Sequence, residues 1–131
     1  MTKIFLGGTC NNSTWRDQLI PQLKVDYFNP VVADWTPEAQ AEEERQKDLC
    51  NVHLYVISKE IIGFFSIAEV IDSCYRKDKR TIFYGLLDGF DVHQQKSLYA
   101  VSQLAAQRGA AGAAISTDLD ILVQMLNAYA S

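Results

Sequence analysis

The chain has no apolar run approaching the roughly 20 residues that a membrane-spanning helix needs, so a bilayer span is not expected. Cysteine is scarce: Cys10, Cys50 and Cys74 are odd in number and fit neither a disulfide framework nor the paired ligands of a zinc site. They read as reduced thiols of a cytoplasmic protein. The two histidines also lack company, His53 inside an apolar run and His93 near the start of a long helical pattern, so neither has partners for a metal site or a Ser-His-Asp triad. Clustered positive charge is missing as well. Twelve basic residues are scattered among 16 acidic ones for a net charge of −4, whereas a protein that wraps a nucleic-acid backbone gathers lysine and arginine into a patch. There is no repeat, low-complexity stretch or long linker. Met1-Thr2-Lys3-Ile4-Phe5-Leu6 enters an apolar strand without a charged leader or a small-residue cleavage site, so export is not expected. A small ligand is the expected partner, with no membrane and no nucleic-acid polymer.

What is present is an alternation of strands and helices. With 131 residues the chain falls in the usual size range of one domain, expected to span 1–131. The first strand is Lys3 to Gly7, followed after Asn11-Asn12-Ser13, any of which is a capping residue, by a helix to about Leu23. Tyr27-Phe28 makes a short second strand. Thr36-Pro37 then caps and opens an acidic helix, Glu38 to about Leu49. Val52 to Ile57, nearly continuous in apolar and aromatic residues, is a central third strand covered on both faces. Ser66 to Tyr75 is the next helix, Arg80 to Tyr84 a fourth strand, Asp91 to Arg108 a long helix, Ala113 to Ile115 a fifth strand and Thr117 to Ala130 the last helix. Such alternation calls for right-handed crossovers onto a parallel sheet, an α/β, flavodoxin-like three-layer fold with strand order 2-1-3-4-5. Ligands bind where that order reverses, which places the site at the loops Gly7 to Ser13 and Ser58 to Ser66.

Both loops carry chemistry. In the first, Gly7 and Gly8 permit close backbone approach, and Thr9, Cys10, Asn11, Asn12, Ser13 and Thr14 are small at the amino end of a helix, with Arg16 in its first turn. The sequence is neither a Walker loop nor G-x-G-x-x-G, so it is either a grip for an anion or sugar hydroxyl or an ordinary capped turn. In the second, Ser66-Ile67-Ala68-Glu69 fits an S-x-x-E capping box. The same Glu69, flanked by Phe64, Phe65 and Ile67 at the crevice, is placed for partial desolvation and for work as a nucleophile or base. Trp15 fits the apolar face of the first helix, while Trp35, in a loop on the same edge as the site, is the indole available to stack on a base. Phe64 and Phe65 are placed to act as a lid.

Ile4-Phe5-Leu6-Gly7-Gly8, the strand Val52 to Ile57 and the Glu69 helix together resemble the nucleoside 2-deoxyribosyltransferase-like family over most of the chain. The resemblance implies that Glu69 attacks the anomeric carbon of a deoxyribonucleoside, displacing the base and forming a glycosyl-enzyme intermediate. It further implies an acid from the helix before the third strand, for which Glu43 is the candidate with Glu42 and Glu44 beside it, a reaction without cofactor, and a homo-oligomer. Three adjacent glutamates are also what a solvated helix face looks like. Two positions depart from the family pattern. Phe5 stands where a tyrosine hydroxyl holds the nucleophile, and Gly63 stands where an acid precedes the glutamate by six residues. A related branch, the deoxynucleoside 5′-monophosphate N-glycosidases, grips a phosphate with a polar glycine-rich first loop and uses water as acceptor. Thr9, Asn11, Asn12, Ser13 and Arg16 resemble that loop. A catalytically inactive nucleotide-binding module and a TIR-like NAD-cleaving domain are the remaining alternatives.

Overall fold

Successive side chains of a strand point to opposite faces, so six consecutive residues without a charge, Val52 to Ile57, need cover from both sides. The computed structural model, which describes residues 1–10 and 12–130, makes this run the fully buried central strand β3 (Val52–Ile57). Around it the chain runs β1 (Lys3–Gly8), α1 (Trp15–Leu19), β2 (Asp26–Phe28), α2 (Pro37–Leu49), β3, α3 (Phe65–Cys74), β4 (Arg80–Leu86), α4 (Val92–Gln107), β5 (Gly112–Ser116) and α5 (Asp120–Asn127). All pairs are parallel and the order is β2-β1-β3-β4-β5, as expected. Val52, Leu54 and Val56 join Ile4, Leu6, Ile82 and Tyr84 in a core covered by α1 and α5. Tyr55, Ile57 and Phe83 form the opposite core under α3 and α4. Each fully buried aliphatic or aromatic side chain contributes about 1.5–3 kcal/mol, so β3 anchors the fold from both faces.

The strand β1 leads into α1 on one face of the sheet, and its neighbour β3 leads into α3 on the other. Their carboxyl ends therefore part at Gly8 and Ile57, which opens the crevice. The register sets Phe5 beside His53 and Gly7 beside Tyr55, on the face that α3 covers.

Several element ends differ from the sequence expectation. The first helix is capped by none of the described candidates: Thr14 occupies the cap position without a side-chain bond, and Asn12 turns the chain at φ +55°. Ser13 Oγ donates instead to the Thr9 carbonyl at 2.8 Å, where Trp15 Nε1 and Arg16 Nη1 also converge. Asn11, a suggested cap and ligand contact, lies outside the described residues. Regular α-helix ends at Leu19 rather than Leu23, because Pro21 lacks the next N–H and the chain tightens into a 3-10 turn at Ile20–Gln22. At the other end, Asp118 Oδ1 accepts from the Asp120 N–H at 3.0 Å, a local turn that delays α5 from Thr117 to Asp120.

Candidate active site

The end of β1 is built for close approach. Gly7 has no side chain, and a Cβ there would lie 3.0 Å from the Tyr55 ring, so the absence lets that ring lie across the strand. After it, the Thr9 N–H donates to the Val56 carbonyl at 2.8 Å and Thr9 Oγ1 accepts from the Ser58 N–H at 3.1 Å, pinning the first loop to the third strand. Arg16 closes this knot. Its guanidinium is buried and donates to the carbonyls of Leu6 at 3.0 Å and Thr9 at 2.7 Å. Burial lowers its pKa, and nearby Cys10, Asp17 and Glu43 oppose that shift.

A cleft of about 290 Å³ opens beside this knot, on the α2 and α3 face. Gly7, Gly8, Cys10 and Arg16 border it from the first loop, Glu43 from α2, and Ser66 and Glu69 from α3. Trp35, 60% exposed, borders it from the segment after β2 together with Pro30, Val31, Val32 and Ala33. Thr9 and Phe65 border an adjoining hollow of about 160 Å³ that shares Glu69, Ser66 and Cys10. Asn12 and Phe64 are exposed and border neither space. A larger cleft, about 420 Å³, lies on the α1 and α5 side and is bordered by Trp15, Lys59, Glu60, Asp88, Asp118 and Asp120. The smaller cleft is the candidate site, because it joins two carboxylates of unlike surroundings to an exposed indole. Among the described residues no three His, Cys, Asp or Glu side chains are grouped to hold a metal ion, and no helix is long and apolar enough to cross a membrane.

Those carboxylates are held by Lys47. Its ammonium is 2.6 Å from Glu69 Oε2 and 3.9 Å from Glu43 Oε1, with all three side chains about a quarter exposed or less. This arrangement overturns the capping box. Helix α3 begins at Phe65 after the cap position Phe64, Ser66 lies inside the first turn, and Glu69 turns to a cation, a stronger partner than a neutral backbone N–H. Glu43 is not on a purely solvated face. Burial raises its carboxyl pKa first, Lys47 lowers it, and Glu69, Glu44 and Arg16 act more weakly. Tyr55 also reaches this corner, its phenol pushed up by burial and by the Glu69 charge.

Lys47 is itself fixed from below. Its carbonyl accepts from His53 Nε2 at 2.7 Å, His53 Nδ1 faces Ser73 Oγ at 3.4 Å, and Ser73 bonds Thr81 Oγ1 at 2.6 Å. A neutral imidazole suits both contacts, and burial holds the His53 pKa down to about 4 against an unperturbed 6.5. Between those values the unfolded chain binds more protons than the folded one, so stability rises with pH from about 4 to 6.5 and is fully present above that range. The group's share is about 2 kcal/mol once solvent screening is allowed for. Urea midpoints at pH 4.5 and 7 are expected to show this difference, and His53→Gln to remove that part of it.

With this geometry in place, the family model described as nucleoside 2-deoxyribosyltransferase like matches residues 1–85. The chain belongs to that family. The matched span runs from β1 into β4 and includes every residue that borders the smaller cleft, while α4, β5 and α5 lie beyond it. No curated protein and no solved structure matches the chain. Within the nucleoside 2-deoxyribosyltransferase-like portion, sequence reasoning overlooked Lys47, Tyr55 and the Pro30 to Ala33 rim. The i, i+4 spacing of Glu43 and Lys47 was the available signal for the first.

Proposed function

We propose that this nucleoside 2-deoxyribosyltransferase-like protein cleaves the N-glycosidic bond of a deoxynucleoside or its 5′-monophosphate, passing the sugar to a second base or to water. The observation that carries the reading is the unequal pair of carboxylates in one cleft, Glu69 against the Lys47 ammonium and Glu43 with its pKa raised by burial. In the first step a Glu69 oxygen bonds to C1′, the C1′–N bond breaks and its electron pair goes to the base nitrogen, while protonated Glu43 gives its proton to the leaving base. In the second, the acceptor attacks C1′, the ester electron pair returns to Glu69 and Glu43 takes the acceptor's proton. Trp35 offers the departing base a stacking face. The residues suffice without a cofactor.

The test is release of free base from a panel of deoxynucleosides and deoxynucleoside 5′-monophosphates, with and without a second base. Release that rises with the second base identifies a transferase, and release indifferent to it a hydrolase. A folded protein that binds one of these compounds and turns over none would overturn the enzymatic reading in favour of a binding module.

A further inference from the structure

The reaction above creates a charge problem that the structure answers. When Glu69 bonds to C1′ it becomes a neutral ester, and when Glu43 gives up its proton it becomes an anion, so negative charge moves from one side chain to the other. An ammonium fixed on Glu69 alone would be stranded. Lys47 lies between the two, 2.6 Å from Glu69 Oε2 and 3.9 Å from Glu43 Oε1. The other cations close by are otherwise engaged: Arg16 donates to the carbonyls of Leu6 and Thr9, and Arg76 is 3.2 Å from Asp48. Phe5, which stands where the family resemblance expects a tyrosine hydroxyl, carries its ring 5.5 Å beneath the same ammonium. A flexible stem and rotatable donors let a lysine change partner with little displacement.

We propose, resting on the glycosidic reading, that Lys47 is the positioning residue of this site: it orients ionised Glu69 before attack and transfers its pairing to Glu43 as the base departs. For Glu43 to serve as the acid, the trio must hold one carboxylate, one ammonium and one neutral acid before the step. After it, the ester, the ammonium and the new Glu43 carboxylate carry the same total charge. The ammonium keeps its proton throughout.

Lys47→Met is expected to lower kcat for base release about 100-fold with KM little changed, and Lys47→Arg to recover much of that loss. A kcat for Lys47→Met close to wild type would overturn the proposal. A second readout does not depend on turnover. In protein with 13C-labelled glutamate side chains, the Glu43 titration midpoint is expected to rise in Lys47→Met and to fall in Glu69→Gln, a neutral stand-in for the esterified residue. The groups facing Glu43 are Lys47 and Glu44 on its own helix, Glu69 on α3 and Arg16 on α1, and only the substituted charge changes in each variant. If Glu43 moves in neither variant, the carboxylates are not coupled through Lys47 and the proposal fails whatever the activity. If the wild-type protein releases no base, the glycosidic reading fails by itself, and the titration still decides the coupling.

Discussion

Glutamine in place of Glu69 is expected to lower base release by at least about 10⁴-fold, equivalent to about 5.5 kcal/mol of transition-state stabilisation. An amide oxygen is a far weaker nucleophile than a carboxylate, and its nearly identical shape keeps the side chain in the same place between α3 and the cleft. The fold should survive the change. The Glu69 side chain is 21% exposed and its ion pair is with one lysine, which retains Glu43 within 3.9 Å when Glu69 is neutral. Loss of a partly exposed pair of this kind costs on the order of 1 kcal/mol or less. Ligand affinity within a few-fold of wild type, an unchanged melting profile and absent turnover would together place the defect in the chemical step. Undiminished cleavage would remove Glu69 from the mechanism, and the remaining carboxylate on the cleft, Glu43, would then have to act alone.

Most of the fold was legible because its determinants are local. The apolar run of β3 could not be anything but a strand covered twice, and the Thr36-Pro37 start of α2 was readable from side-chain chemistry alone; Thr36 Oγ1 accepts from the Ala39 N–H at 3.1 Å. Expectations went astray where a local signal competed with a partner distant in sequence. Ser66-Ile67-Ala68-Glu69 has every mark of a capping box, yet Lys47, 22 residues earlier, claims the carboxylate. Ser13, a candidate cap before α1, turns instead to the Thr9 carbonyl, which draws Ser13, Trp15 and Arg16 together to fix the end of β1. The crevice that holds the candidate site was legible, because strand order decides where it lies. Its electrostatics were not, because they depend on α2 and α3 meeting over β1 and β3 on one face of the sheet. Lys47 looked like one more charge on an acidic helix. Only the register that brings Phe5, His53 and Tyr55 to the same face gives it a floor, an anchor and two carboxylates to serve.

Gly8→Ala is expected to be the most damaging of the small substitutions, because it strikes the backbone that makes the crevice. Gly8 has φ +110°, a conformation that residues with a side chain rarely adopt, and the added methyl would lie 2.0 Å from the Val56 carbonyl oxygen and 2.5 Å from the Val56 nitrogen. Both contacts are with the main chain of the central strand, so no side chain can rotate out of the way. That carbonyl also accepts the Thr9 N–H at 2.8 Å, and moving it would loosen the loop that Arg16 clasps. Backbone strain and overpacking, each on the order of 1–3 kcal/mol, together imply a loss of about 3–5 kcal/mol and a fall in Tm of roughly 10–20 °C. Gly63→Ala is the matched control, since a methyl there meets nothing within 4 Å and the residue is exposed. Thermal unfolding of the two variants beside wild type separates the cases. Equal melting temperatures would mean that β1 and β3 part more easily at their carboxyl ends than the Thr9 to Val56 bond implies, and the cleft would then be a looser structure than its geometry suggests. A large loss at Gly8 but not at Gly63 would tie the cleft's shape to a glycine whose backbone lies against the central strand where the two strands diverge.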